Sequence, residues 1–219
     1  MTVLLVVFTF AVFLGIGWLL QRRKAMAPAA AVATAAAGGV PVRLPRGIFF
    51  ARSHTWLNLF PSGRAWLGVD DFVTQMLERP RVRFLKQAGE RVARGEPLLR
   101  LEDGDHGLTV RSPLAGRLLA VNTRLTEKPE LLRRAPFADG WAVEVRPDHY
   151  ADVKAMPLGD ESRGWIRDEL ARLRDLLAGA GAEVSPAMLQ DGGPPIAGAL
   201  RHAGAEVWSR FEREFLEVR

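Results

Sequence analysis

Cysteine is absent from this chain, and that removes several chemistries at once. There is no disulfide, no thiolate nucleophile, no thiolate zinc site and no iron–sulfur ligation by its own side chains. Lysine is nearly absent too. Only Lys24, Lys86, Lys128 and Lys154 occur, so any prosthetic group amide-linked to a lysine must use one of these four. The glycine-rich phosphate loop, the dinucleotide fingerprint and the Gly-x-Ser-x-Gly elbow of hydrolases are all missing. So is a motif of the kind that reads nucleic acid, despite a formal net charge of +5. That mild basicity fits solubility, or attraction to an anionic membrane surface. His54 and His106 have no nearby nucleophile or second base in the pattern that catalysis needs, and His54 reads as a structural residue of the first hairpin. No catalytic residue, metal ligand, cofactor or small-molecule substrate is expected.

What is present begins with an apolar run. Val3 to Leu20 holds 18 residues without a charge, followed at once by Arg22, Arg23 and Lys24. At about 1.5 Å per residue a helix of that length spans roughly 27 Å, close to the hydrocarbon thickness of a bilayer. A signal peptide would carry a basic leader and a shorter apolar core. The run therefore predicts an uncleaved transmembrane anchor over 1–21. The basic cluster that follows predicts that the globular part lies on the cytoplasmic side of the inner (plasma) membrane. Residues 22–42 are a low-complexity, alanine-rich linker that cannot build a core.

From about Arg43 the texture changes to short β-type runs separated by turn residues, a pattern that predicts a mainly β barrel or sandwich over 43–158. A first hairpin turns at Pro61-Ser62-Gly63, and Asp70 is a candidate cap for a helix over DDFVTQMLE, with Phe72, Val73, Met76 and Leu77 on one face. Then comes the central stretch, Gly89 to Gly116. Leu98, Leu99 and Leu101 run in towards the acidic tip Glu102-Asp103-Gly104-Asp105-His106, Leu108 and Val110 return, and Ser112-Pro113-x-x-Gly116 turns the chain out again. The tip reads as a solvated polar turn, because one turn offers too few converging oxygens for a metal. Residues 159–219 form a helical extension. Ile166, Leu170, Leu173 and Leu177 step at helical period after a cap at Asp160 or Ser162, Ser185-Pro186 marks a further helix start, and a last helix is expected over Ile196–Leu216 with Leu200, Val207, Phe211 and Phe215 on one side and Trp208 beside them.

Several segments together resemble the glycine cleavage system H protein. They are His54-Thr55-Trp56, Trp66 to Phe72, Ala88 to Val92 with Gly95 to Leu98, Ser112-Pro113 with Gly116, Asn122, Pro129 to Leu132 and Pro136 to Trp141. The resemblance implies a barrel-sandwich hybrid fold and a carrier that holds lipoate on a lysine and shuttles an aminomethyl group between partner enzymes. In that family the lysine closes a Glu-x-x-Lys pattern seven positions before the Ser of Ser-Pro. Here Glu102 is in place and Asp105 stands at the lysine position, with the spacing to Ser112 kept. A carboxylate cannot form the amide to lipoate. Lys86 and Lys128 match neither the position nor the turn. The expected protein is therefore a membrane-anchored, non-lipoylated, non-enzymatic adaptor with a protein partner. The alternative is a lipoate-carrier subunit of a glycine-cleavage-type system. The short run between Glu102 and Val110 leaves no room for the long helical insert of a periplasmic efflux adaptor.

Overall fold

The computed structural model describes residues 42–179 and 198–218. The expected anchor at 3–20, nearly all of the alanine-rich linker and the helix start at Ser185-Pro186 lie outside the described residues. Among the described residues no helix is long and apolar enough to cross a membrane.

Among the described residues, nine antiparallel strands form two sheets. β1 (Phe49–Ala51), β2 (Thr55–Leu59), β3 (Ala65–Val69), β5 (Arg91–Val92), β8 (Gly116–Val121) and β9 (Val143–Pro147) make the larger sheet, in the order β1-β2-β3-β9-β8-β5. β4 (Arg81–Phe84), β6 (Pro97–Asp103) and β7 (His106–Arg111) make the smaller one, in the order β4-β6-β7. Both sheets turn their apolar alternation inward. Leu57, Leu67, Val69, Leu118, Val143 and Val145 of the larger sheet and Leu99, Leu101, Leu108 and Val110 of the smaller are all buried in one core. Period-two alternation accounts for this, since one face of each strand must find apolar neighbours while the other meets water. Leu98 and Leu99 break the alternation by both being buried, and the register with β7 shifts between Pro97 and Leu99. A bulge of this kind lets two consecutive side chains point inward.

Short helices close the edges. α1 (Asp71–Met76) starts at Asp70, whose carboxylate accepts from the Val73 amide at 3.2 Å. The helix was expected to run on to Glu78. Instead Leu77 is extended (φ −99°, ψ 143°), because the next two amides, of Glu78 and Arg79, turn to Asp103 of the smaller sheet. α2 (Arg124–Glu127), α3 (Leu131–Arg134) and α4 (Tyr150–Lys154) are single turns.

The C-terminal helices pack on the same core. α5 (Arg163–Ala178) buries the expected Ile166, Leu170, Leu173 and Leu177, and Trp165 and Leu176 besides. Its start differs from the sequence expectation. The Ser162 hydroxyl donates back to the Leu158 carbonyl at 3.0 Å instead of accepting from the helix, and Asp160 pairs with Arg163 and Arg46. The single last helix also breaks up. A 3-10 turn at Ala199–His202 is followed by an extended Ala203 (φ −91°, ψ 141°) and then by α6 (Ala205–Phe211), which runs into a π-helical turn at Glu212–Leu216. Gly204, also extended (φ −66°, ψ 165°), opens α6; glycine favours such caps over helix interiors.

Candidate functional site

The β6–β7 hairpin closes through two residues, Gly104 and Asp105. Asp103 pairs with His106 across the turn, and Gly104 takes φ +63°. A positive φ at the first central position is what a two-residue II′ turn demands, and glycine supplies it without strain. The pairs Leu101↔Leu108 and Leu99↔Val110 below the turn lock the register into the core, so the tip stands at a defined place. Gly104 and Asp105 are exposed; Glu102, Asp103 and His106 are half-buried.

The five tip residues have different tasks. Asp103 accepts from the Glu78 amide at 2.6 Å and the Arg79 amide at 3.3 Å, so its carboxylate ties the hairpin to the end of α1. Glu102 accepts from Arg83 Nε at 3.0 Å across the β4–β6 pair. The His106 ring stacks on Trp208 of α6, with centroids 5.4 Å apart. Trp208 in turn donates from Nε1 to the Leu200 carbonyl at 2.8 Å. Asp105 is the residue of the turn that points no side-chain bond at another described residue. Gly104 and Asp105 stand in solvent, whereas Asp103 and His106 also serve as structural contacts. Among the described residues no group of three His, Asp or Glu side chains is placed to hold a metal ion.

A shallow cavity of about 430 Å³ opens beside the tip, lined by Glu78, Arg79, Arg81, Asp103 to His106 and Arg201. Arg201 comes from the C-terminal extension and ion-pairs with Glu78. The Gly198 amide also donates to the Gln75 carbonyl at 2.8 Å. Sequence reasoning did not bring Glu78, Arg201 and Trp208 to the tip. Trp208 lying off the main apolar stripe of its helix was the one available signal.

The lysines are placed elsewhere. Lys86 lies between Glu96 (2.5 Å) and Glu90 (3.5 Å). The hydrogen bond to Glu96 holds the Lys86 ammonium above the ordinary lysine range, and the same bond, aided by the Ala93 amide, holds the Glu96 carboxyl below its own. Lys128 and Lys154 are exposed at the ends of α2 and α4. His54 is fully buried: Nδ1 meets Asp70 Oδ2 at 2.8 Å, and the ring stacks on Phe72 (4.1 Å) and Trp165 (5.0 Å).

Two packed antiparallel sheets, the smaller built on the β6–β7 hairpin, with short helices at their edges, define a mainly β domain of sandwich type. The sequence matches the family model described as glycine cleavage H-protein over residues 48–167. The chain belongs to that family. It is 32% identical over 123 residues to the glycine cleavage system H protein of Hydrogenovibrio crunogenus, covering 56% of this chain and 95% of that one. The glycine cleavage system H protein of Psychrobacter cryohalolentis is 27% identical over 118 residues, 54% of this chain and 94% of its own. A crystal structure of a glycine cleavage system H protein from Mycobacterium marinum aligns with TM-score 0.49 and 22% identity, covering 56% of this chain and 98% of that chain. The family match ends inside α5, so the rest of that helix and residues 198–218 lie beyond it.

Proposed function

We propose that this member of the H-protein family carries no lipoate and works as a non-catalytic adaptor through protein contacts. The observation that carries this reading is Asp105 at the exposed second position of the hairpin turn, where the family resemblance puts the attachment lysine. Acylation needs an amine nucleophile, and a carboxylate has none to offer. The C-terminal extension adds support: Trp208 and Arg201 sit against the flank of the tip, where a swinging arm would need clearance. In this reading residues 3–20 hold the domain at the cytoplasmic face of the membrane, which protease protection in right-side-out vesicles would test.

Family membership favours a second reading, a lipoate carrier of a glycine-cleavage-type system using another lysine. Lys86 is engaged by two carboxylates, and Lys128 follows one helical turn while Lys154 ends another, neither at a hairpin tip. An attached arm depends on reproducible placement of its reactive end, which such positions do not provide. The deciding experiment is the intact mass of the full chain purified from lipoate-fed cells, beside an H protein with the attachment lysine. The adaptor reading expects the unmodified mass here and the lipoylated mass in the control. A lipoyl increment on the native chain sinks it.

A further inference from the structure

The outer face of the larger sheet carries a row of like charge. Arg91 of β5 pairs directly with Arg117 of β8, and Arg117 pairs with Arg146 of β9. Extending the Ala65↔Val145 register of β3 and β9 by one position sets Arg64 beside Arg146. Residues directly opposite in an antiparallel sheet share a face. All four arginines are exposed, and the neighbours Ala65, Val92, Leu118 and Val145 are buried on the other side. Three strand spacings give this row a length of roughly 14 Å.

The row is only half neutralised. Arg91 meets Asp148 at 2.7 Å and Arg64 meets Glu144 at 2.9 Å, at its two ends. Arg117 and Arg146, in the middle, have no ion-pair partner among the described residues. Like charges set directly across a strand pair destabilise the sheet. An external anion would relieve this repulsion. Next to it, Trp66 lies on the same face as Arg64 by the strand alternation. It stacks on Trp141 at 5.5 Å and 10°, with Phe60 edge-on at 5.1 Å. Trp66 and Trp141 are half-buried.

We propose that this face docks on an anionic phospholipid surface, with the arginine row against headgroup phosphates and the Trp66–Trp141 pair at the interfacial edge. Guanidinium groups suit phosphate oxygens through paired N–H donors, and tryptophan favours the membrane interface. A nucleic acid fits less well. Each indole already spends one face on the other, and Phe60 meets Trp66 edge-on, so the pair offers a base less stacking surface than two separate rings would. The idea rests on the membrane-held reading above, because a short linker after the expected anchor would keep the domain close to the leaflet.

The absence of cysteine makes the test direct, since single reporters can be introduced. Ala120→Cys lies opposite Glu144 on this face, and Ser209→Cys is exposed on α6. Each labelled full chain is reconstituted in vesicles of phosphatidylcholine alone or with phosphatidylserine, both containing a quencher-bearing lipid. Stronger quenching at 120 than at 209 is expected, only with phosphatidylserine, and lost in high salt. Substituting Arg117→Gln and Arg146→Gln together should lower the docked-to-free ratio roughly thirtyfold, about fivefold for each arginine. Equal quenching at both positions, or quenching indifferent to lipid charge and to the substitutions, overturns the proposal. So does RNA binding that the substitutions abolish while vesicle docking stays unaffected by lipid charge. Flotation with neutral vesicles in high salt reads the anchor separately. A chain that fails there but still floats with phosphatidylserine vesicles in low salt, and loses this with the substitutions, retains the docking face and loses the anchor.

Discussion

Phe211→Ala asks whether the C-terminal extension belongs to the core or merely rests on it. Phe211 is fully buried, 4.9 Å from Phe215 and 6.1 Å from Phe72 between ring centroids. Truncating a buried phenylalanine costs about 3–5 kcal/mol through lost transfer energy and the cavity left behind. Domains of this kind have about 5–15 kcal/mol in total, so the loss is a large share. With a urea slope of about 2 kcal/mol per molar, the unfolding midpoint should fall by roughly 2 M. The assay is urea unfolding of the full chain in mild detergent, followed by tryptophan fluorescence. Trp165 and Trp208 are both buried near this cluster and report it directly. Ser209→Ala, exposed on the same helix, serves as the control and should move the midpoint by no more than about 0.25 M, from a cost within roughly 0.5 kcal/mol. A Phe211→Ala midpoint within that control range refutes the integrated core. A separate early transition in the variant would show the extension unfolding by itself.

Three further outcomes are expected. Asp70→Ala removes the cap of α1 and the partner of buried His54 in one step, so a loss of about 2–4 kcal/mol should appear in the same unfolding assay, with Asp70→Asn costing less because it can still cap. The Glu96 carboxyl titrates below its ordinary value of 4.5 in the folded chain because Lys86 and the Ala93 amide favour the anion. Its contribution is therefore complete above that value and fades as pH falls through the lower folded value. Replacing Lys86→Met should raise the Glu96 midpoint in an NMR titration, and an unchanged midpoint would contradict the pairing. Asp105→Lys restores an amine at an exposed turn position, and the folded variant should gain lipoate in lipoate-fed cells, read by intact mass. A folded variant that stays unmodified would mean that residue 105 alone does not decide attachment.

The hairpin was legible because its signals are local. Leu99 and Leu101, with Leu108 and Val110, declare the buried faces by alternation, Gly104 declares the turn, and Asp105 is read off one position. The ends of helices were less legible. Whether α1 runs to Glu78 depends on Asp103, 25 residues away, which takes the amide that would otherwise continue the helix. The break at Ala203 and the cap at Ser162 went the same way, since a stripe of apolar residues says which face is buried and not where the backbone leaves the helix.

By itself, then, the sequence determined the mainly β class, the H-protein family and the absence of an amine at the hairpin tip. All three follow from side-chain type and spacing along short segments. Only the tertiary structure decided that Trp208 lies on His106, that Arg201 closes the tip cavity with Glu78, and that Arg64, Arg146, Arg117 and Arg91 stand in one row. Those groups are far apart in the chain. Their meeting depends on strand order and register, which the burial of the opposite face sets and no local pattern encodes.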